Sequence, residues 1–214
     1  SRAIIFDLNG EILAQKNFEF KQYYPKSGWV EHDPKEILET TTNAINHVIA
    51  ESRIKATEIC TAGITNQRET VVAWDKSNGQ PVYNAIVWQD RRTENICKDL
   101  RNENLTEDIQ NKTGLIIDPY FSATKIKWII ENVNDSSKII SKNNLLVGTI
   151  DSWLIWNFTK GSSHLTDATN ASRTMLYNIN DDQWDLELLK LLNIPNEILP
   201  EVKNSTDNFG IISK

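Results

Sequence analysis

Asp33-Pro34-Lys35-Glu36-Ile37-Leu38-Glu39-Thr40-Thr41 reads as the opening of a helix, and the segments on either side of it read as strands. Asp33 suits the cap, and Pro34 suits the first helical position, where its missing N–H costs nothing. Glu36 completes a capping-box-like arrangement. Ile37, Leu38, Thr41, Ile45, Val48 and Ile49 then recur at helical spacing, so one face of this helix is expected to be buried. Upstream, Ala3–Asp7 and Ile12–Phe20 are strand-like runs joined by the tight-turn pair Asn9-Gly10, which predicts a β-hairpin. Downstream, Ile59–Thr65 reads as a buried strand. Strands first, then strand and helix mixed, predict an α/β domain.

The pattern continues along the chain. Glu69–Trp74 and Pro81–Val87 are strand-like, with Asn78-Gly79 marking the turn between them. Thr93–Asn102, Ser122–Asn132, Thr149–Phe158 and Trp184–Leu192 read as helices, the last stopped by Ile194-Pro195. No internal repeat, low-complexity tract or linker interrupts the sequence, so residues 1–214 are expected to form one domain.

Bulk composition narrows the classes of function. Hydrophobic residues make up 39% and charged residues 24% of the 214, the balance of a chain able to bury a substantial core. The formal charge of -6 is spread among both signs, which argues against nucleic acid as a partner. No apolar run approaches the ~20 residues that span a bilayer, and no basic-then-apolar leader is present. A cytoplasmic protein with no stable membrane insertion is expected. Cys60 and Cys97 lack metal-type spacing and fit a reducing compartment as free thiols.

General catalytic signatures are missing: there is no G-x-x-x-x-G-K-[ST], no G-x-G-x-x-G and no H-E-x-x-H. His47 falls within the amphipathic helix, and His164 with Asp167 makes a poor metal pair, so no metal site is expected. Three longer segments carry the chemistry. Gly63-Ile64-Thr65-Asn66-Gln67-Arg68-Glu69-Thr70 places an Arg and a Glu beside an apolar strand. Tyr83-Asn84-Ala85-Ile86-Val87-Trp88-Gln89-Asp90-Arg91-Arg92-Thr93 ends a strand on a Trp and three charges. Asp118-Pro119-Tyr120-Phe121-Ser122 is an aromatic turn before a helix. Adjacent Arg and Glu supply the donors and acceptors that a polyol's hydroxyls require. Trp and Tyr rings supply flat walls for its C–H faces. The same residues also fit a plainer reading, with Arg68–Glu69 a local ion pair and both aromatics in the core.

Those segments resemble the FGGY carbohydrate kinases, on the branch that phosphorylates glycerol. So do Tyr24-Pro25-Lys26-Ser27-Gly28-Trp29-Val30-Glu31-His32-Asp33-Pro34, Gly148-Thr149-Ile150-Asp151-Ser152-Trp153-Leu154-Ile155-Trp156, and Thr166-Asp167-Ala168-Thr169-Asn170-Ala171-Ser172-Arg173-Thr174-Met175-Leu176. Several long motifs in the family's order make the likeness specific. It implies an actin-like, ribonuclease-H-like ATPase fold and transfer of phosphate from ATP to glycerol with Mg2+. It also implies that Arg68 and Glu69 hydrogen-bond glycerol, that Trp88 packs on its carbon chain, and that Tyr120 closes the pocket. Arg2 falls where the family has an arginine near the transferred phosphate, a cofactor-binding role. Asp90, Arg91 and Arg92 are expected as scaffold, and Asp151, Asp167, Asn170 and Arg173 as structural contacts.

Measured against the family, the sequence is expected to be incomplete at both ends. The first strand and its phosphate loop would precede Ser1, and the catalytic Asp and carboxy-terminal ATP-binding domain would follow Lys214. An exposed strand edge beside Ala3–Asp7, weak or undetectable glycerol binding and no kinase activity for these residues alone are the corresponding expectations. Homo-dimers or tetramers are expected of the whole enzyme. The alternatives are another sugar kinase of the family, acting for instance on xylulose, or a non-catalytic remnant with an assembly role.

Overall fold

Two antiparallel strands, β1 (Arg2–Phe6) and β2 (Ile12–Asn17), form the expected hairpin in the computed structural model, which describes residues 1–134 and 136–212. Asp7 builds its turn, with Oδ1 accepting from the Asn9 and Glu11 backbone N–H groups at 2.8 and 2.9 Å. Among the described residues β1 pairs with β2 alone, and Phe6, Leu8, Ile12 and Leu13 are exposed on the hairpin. Two short strands, β3 (Gln22–Tyr23) and β4 (Glu31–His32), lead into α1 (Pro34–Ser52).

Asp33 caps α1 by accepting from Lys35 N at 2.8 Å, and Arg53 in the left-handed region ends it. Glu36 does not close the capping box. Its carboxylate instead accepts from Lys21 N at 3.1 Å and from the Tyr23 hydroxyl at 3.3 Å, tying the helix start to β3. Ile37, Ala44 and Val48 form the buried stripe, with Leu38, Thr41, Ile45 and Ile49 half-buried along it.

The expected strand at Ile59–Thr65 does not form. This run has no regular secondary structure, is exposed and pairs with no strand among the described residues, and Ile59 and Ile64 face solvent. A ladder needs a neighbouring backbone, and here no described strand lies alongside to supply one.

The sheet is built on β5 (Val71–Asp75), flanked by β6 (Gln80–Pro81) and β7 (Ala85–Ile86). The run expected as one strand from Pro81 to Val87 is broken at Tyr83 and Asn84, whose side chains both donate to Glu31, at 2.8 and 2.9 Å. Helices α2 (Glu94–Asn102), α3 (Thr106–Thr113), α4 (Ser122–Asn132) and α5 (Ser136–Ser141) follow. Then β8 (Leu145–Thr149) pairs antiparallel along the whole of β5, from Val71↔Thr149 to Asp75↔Leu145. The strand order is β3-β4-β7-β5-β6, with β8 on β5.

Beyond it lie α6 (Ile150–Phe158), β9 (Leu165–Asp167), α7 (Ala168–Ala171), β10 (Tyr177–Asn178), β11 (Gln183–Trp184), α8 (Leu186–Leu192) and β12 (Glu201–Lys203). The last expected helix starts two residues late because Asp185 caps it, accepting from Glu187 and Leu188 N–H groups.

Alternation along β5 explains the layering. Val71 and Ala73 point into one core with residues of α2, α4 and α8, including Leu100, Ile126, Ile129 and Leu188. Val72 and Trp74 point into a second core with Ile37 of α1 and Trp153 and Leu154 of α6. Period-2 alternation in a strand apolar throughout means both faces are covered by helices.

Candidate functional site

Glu69 sits at the entry to β5 with φ at +63°, a left-handed conformation that is costly for a residue with a side chain. Two contacts hold it there. Ser122 Oγ, at the start of α4, donates to the Glu69 carbonyl at 3.1 Å, and Arg173 Nε donates to its Oε1 at 2.7 Å. The Glu69 side chain is 4% exposed and that of Arg173 30% exposed, so the pair lies at the mouth of a buried region. Burial works most strongly against the Arg173 charge, but the hydrogen bonds and charges of Glu69 and Tyr120 together outweigh it and raise the guanidinium's pKa.

Arg173 also joins the aromatic side of the site. Its guanidinium lies 5.6 Å from the Tyr120 ring centroid and 5.0 Å from that of Phe121. Tyr120 in turn meets Trp88 at 5.4 Å between ring centroids, tilted by 60°. The Trp88 backbone N–H donates to Thr70 Oγ1 at 3.3 Å, and Thr70 also accepts from Gln67 Nε2 at 2.6 Å. Glu69, Arg173, Tyr120 and Trp88 therefore form one continuous wall from four segments distant in sequence.

The neighbouring charges act as supports. Asp90 is fully buried and accepts from Val30 N at 2.6 Å and from Arg92 Nη2 at 2.8 Å. Arg92 is buried between Asp90 and Glu31, with its guanidinium 3.7 Å from the Trp29 ring centroid and 4.7 Å from that of Trp128. Arg91 reaches Asp118 at 2.9 Å, and Asp118 accepts from Tyr120 N at 2.8 Å, which fixes the aromatic turn. Asp151, whose pKa burial raises, accepts from Thr149, from Thr166 at 2.7 Å and from Asn66 at 3.2 Å, anchoring the stretch before Arg68. Asp167 caps α7 through Asn170 N at 2.9 Å.

Of the residues singled out from sequence, the structure brings Glu69, Trp88 and Tyr120 together. Arg68 adjoins them in the chain, but its side chain is exposed and has no partner among the described residues. The local Arg68–Glu69 ion pair does not form, since Glu69 is engaged by Arg173. Arg2 stands exposed on β1, opposite Asn17, with no contact to the wall. Arg173 was missed as a member of this group because it lies 104 residues from Glu69; an arginine just before the buried run Thr174–Tyr177 was the available signal. Cys60 and Cys97 are unpaired, and burial pushes the Cys97 thiol up to about 11. Among the described residues no helix is long and apolar enough to cross a membrane.

The model of the FGGY family of carbohydrate kinases, N-terminal domain, matches residues 1–214. The glycerol kinase of Thermoanaerobacter sp. (strain X514) is 55% identical over 214 residues, spanning 100% of this chain and 43% of that protein. Glycerol kinase 1 of Clostridium tetani is 56% identical over 210 residues, 98% of this chain and 42% of its own length. Among solved structures, Plasmodium falciparum glycerol kinase with ADP superposes with a TM-score of 0.93 at 42% identity, covering all of this chain and 42% of that one. A ligand-bound xylulose kinase from Lactobacillus acidophilus gives 0.82 at 25% identity, over 94% of this chain and 39% of that one. The chain thus spans less than half the length of the relatives it matches.

Proposed function

The chain belongs to the FGGY family of carbohydrate kinases through that family's amino-terminal domain, and from that membership we propose that the protein it is part of transfers a phosphoryl group from ATP to glycerol. The product is sn-glycerol 3-phosphate. One observation carries the assignment of the acceptor: the Trp88 and Tyr120 rings stand 5.4 Å apart beside the part-buried Glu69–Arg173 pair. A three-carbon polyol has C–H faces that suit the rings and hydroxyls that suit the charges.

In this reading the Glu69 carboxylate accepts from one glycerol hydroxyl, and the exposed guanidinium of Arg68 folds in to donate to another. Trp88 covers the carbon chain, and Tyr120 closes the wall with its hydroxyl. The work of these residues is to bind and orient, presenting a terminal hydroxyl in line with the group to be transferred. ATP and Mg2+, when bound, supply that group and neutralise its charge. Among the described residues no three His, Cys, Asp or Glu side chains gather to hold a metal. The nucleotide side belongs to the remaining length of the protein, as do the catalytic Asp and assembly into dimers or tetramers. A cytoplasmic location is part of the same proposal.

The test is calorimetric titration of the full-length protein with glycerol, xylulose and other polyols, alongside a coupled assay of phosphate transfer. Glycerol is expected to be the preferred acceptor, and Arg68→Ala to weaken it by about tenfold, the scale of one charged hydrogen bond. The 214 residues alone are expected to give no product with ATP. Preference for a ketopentose such as xylulose would replace the glycerol reading with that of another sugar kinase. Unaltered binding in Arg68→Ala would show that the pocket is misplaced.

A further inference from the structure

The first turn of α4 touches three of the four segments of the wall, those of Glu69, Arg173 and Tyr120. Ser122 Oγ donates to the Glu69 carbonyl at 3.1 Å, and Ala123 N donates to the Thr174 carbonyl, next to Arg173, at 2.8 Å. The third contact is unusual. The Lys125 side chain is wholly buried, yet no carboxylate pairs with it among the described residues. Its Nζ donates instead to three successive backbone carbonyls, those of Pro119, Tyr120 and Phe121, at 2.5, 2.6 and 3.1 Å. A buried ammonium is expensive unless its hydrogen bonds are satisfied. Three N–H donors meeting three carbonyls satisfy all of them.

We propose that Lys125 is a positioning residue of the acceptor site, clamping the Pro119–Phe121 carbonyls so that the Tyr120 ring is held against Trp88 and Arg173. This rests on the reading of that wall as the acceptor pocket. A methyl-ended chain of similar volume would fill the space and leave the Pro119 and Tyr120 carbonyls without the Lys125 donor, which frees the turn. Proton loss has a smaller effect of the same kind, because a neutral amine keeps two donors for three carbonyls. Burial brings the Lys125 pKa down to about 7, against the upward pull of Asp90, Glu69, Cys97 and Asp118 around it. The clamp is therefore complete below neutral pH and loosens as pH rises through that value.

The experiment uses the full-length protein and its Lys125→Met variant. For Lys125→Met the KM for glycerol is expected to rise about tenfold, with kcat and the KM for ATP changed less than about twofold, the pattern of lost ground-state binding. In the wild type, the glycerol KM is expected to climb between about pH 6 and about pH 8, and Lys125→Met is expected to flatten that climb. Equal movement of both KM values, or a wild-type glycerol KM flat across this range, overturns the proposal. If Lys125→Met does not fold, the wild-type pH series decides alone. If the wild type phosphorylates no polyol, the acceptor reading falls. The clamp is then judged by hydrogen exchange over residues 119–122 of the wild type at both pH values, corrected for intrinsic rates. Faster corrected exchange at the higher pH supports the clamp, and unchanged exchange refutes it.

Discussion

Glu69 combines two properties that rarely coincide, a left-handed backbone and a buried carboxylate in an ion pair. Positive φ costs a residue with a Cβ about 1 kcal/mol relative to glycine. Glu69→Gly is therefore expected to be more stable than Glu69→Ala by about 1 kcal/mol in thermal unfolding, although both lose the Arg173 partner and the acceptor affinity. Equal stability of the two variants would mean that the backbone there carries no strain. Arg68, Glu69, Trp88 and Tyr120 were marked for a polyol by the family resemblance, since by type alone they also fit an ion pair and core aromatics, and three of the four converge in space. Arg173 was not readable, because its pairing with Glu69 is created by the fold and has no local pattern.

At the scale of elements, helices with a strong start signal were the most legible. Asp33-Pro34 fixed the start of α1, and the apolar stripe of α4 gave its limits to the residue. Strands were harder, since short apolar runs look alike whether or not a neighbour pairs with them. Leu145–Thr149 had no alternation to mark it and became a central strand, whereas Ile59–Thr65 had every mark and became exposed coil. The join between β8 and α6 is tight at Gly148. A Cβ placed there would lie 2.5 Å from Ser152 Cβ, inside contact distance. Gly148→Ala is expected to cost about 2 kcal/mol by forcing this strand and helix apart. Urea unfolding measures it, and an unchanged midpoint would contradict the close approach.

Across the whole molecule the two cores share the strands β5, β7 and β8, so a disturbance on either face reaches the other. His164 sits on the second of these faces. Its Nε2 lies 2.9 Å from the Val147 carbonyl, which can only accept, so this nitrogen carries the hydrogen. Its ring meets Trp74 edge-on at 5.3 Å. Burial pulls its pKa down to about 4, against 6.5 for the free side chain. An unfolded chain takes up this proton near the higher value and the folded one near the lower, so stability falls as pH drops between them. About 3 kcal/mol is expected to be lost over that window, and His164→Gln is expected to flatten the loss in a pH series of denaturation midpoints. An equal slope in the variant would remove His164 as the cause. The exposed run Ile59–Thr65 bears on how the protein ages. Exposed segments outside any helix or sheet are preferred sites of proteolytic nicking. Degradation would begin there, a few residues ahead of Arg68, and a single nick would cut the hairpin and α1 from the covalent chain while leaving the acceptor wall on one fragment.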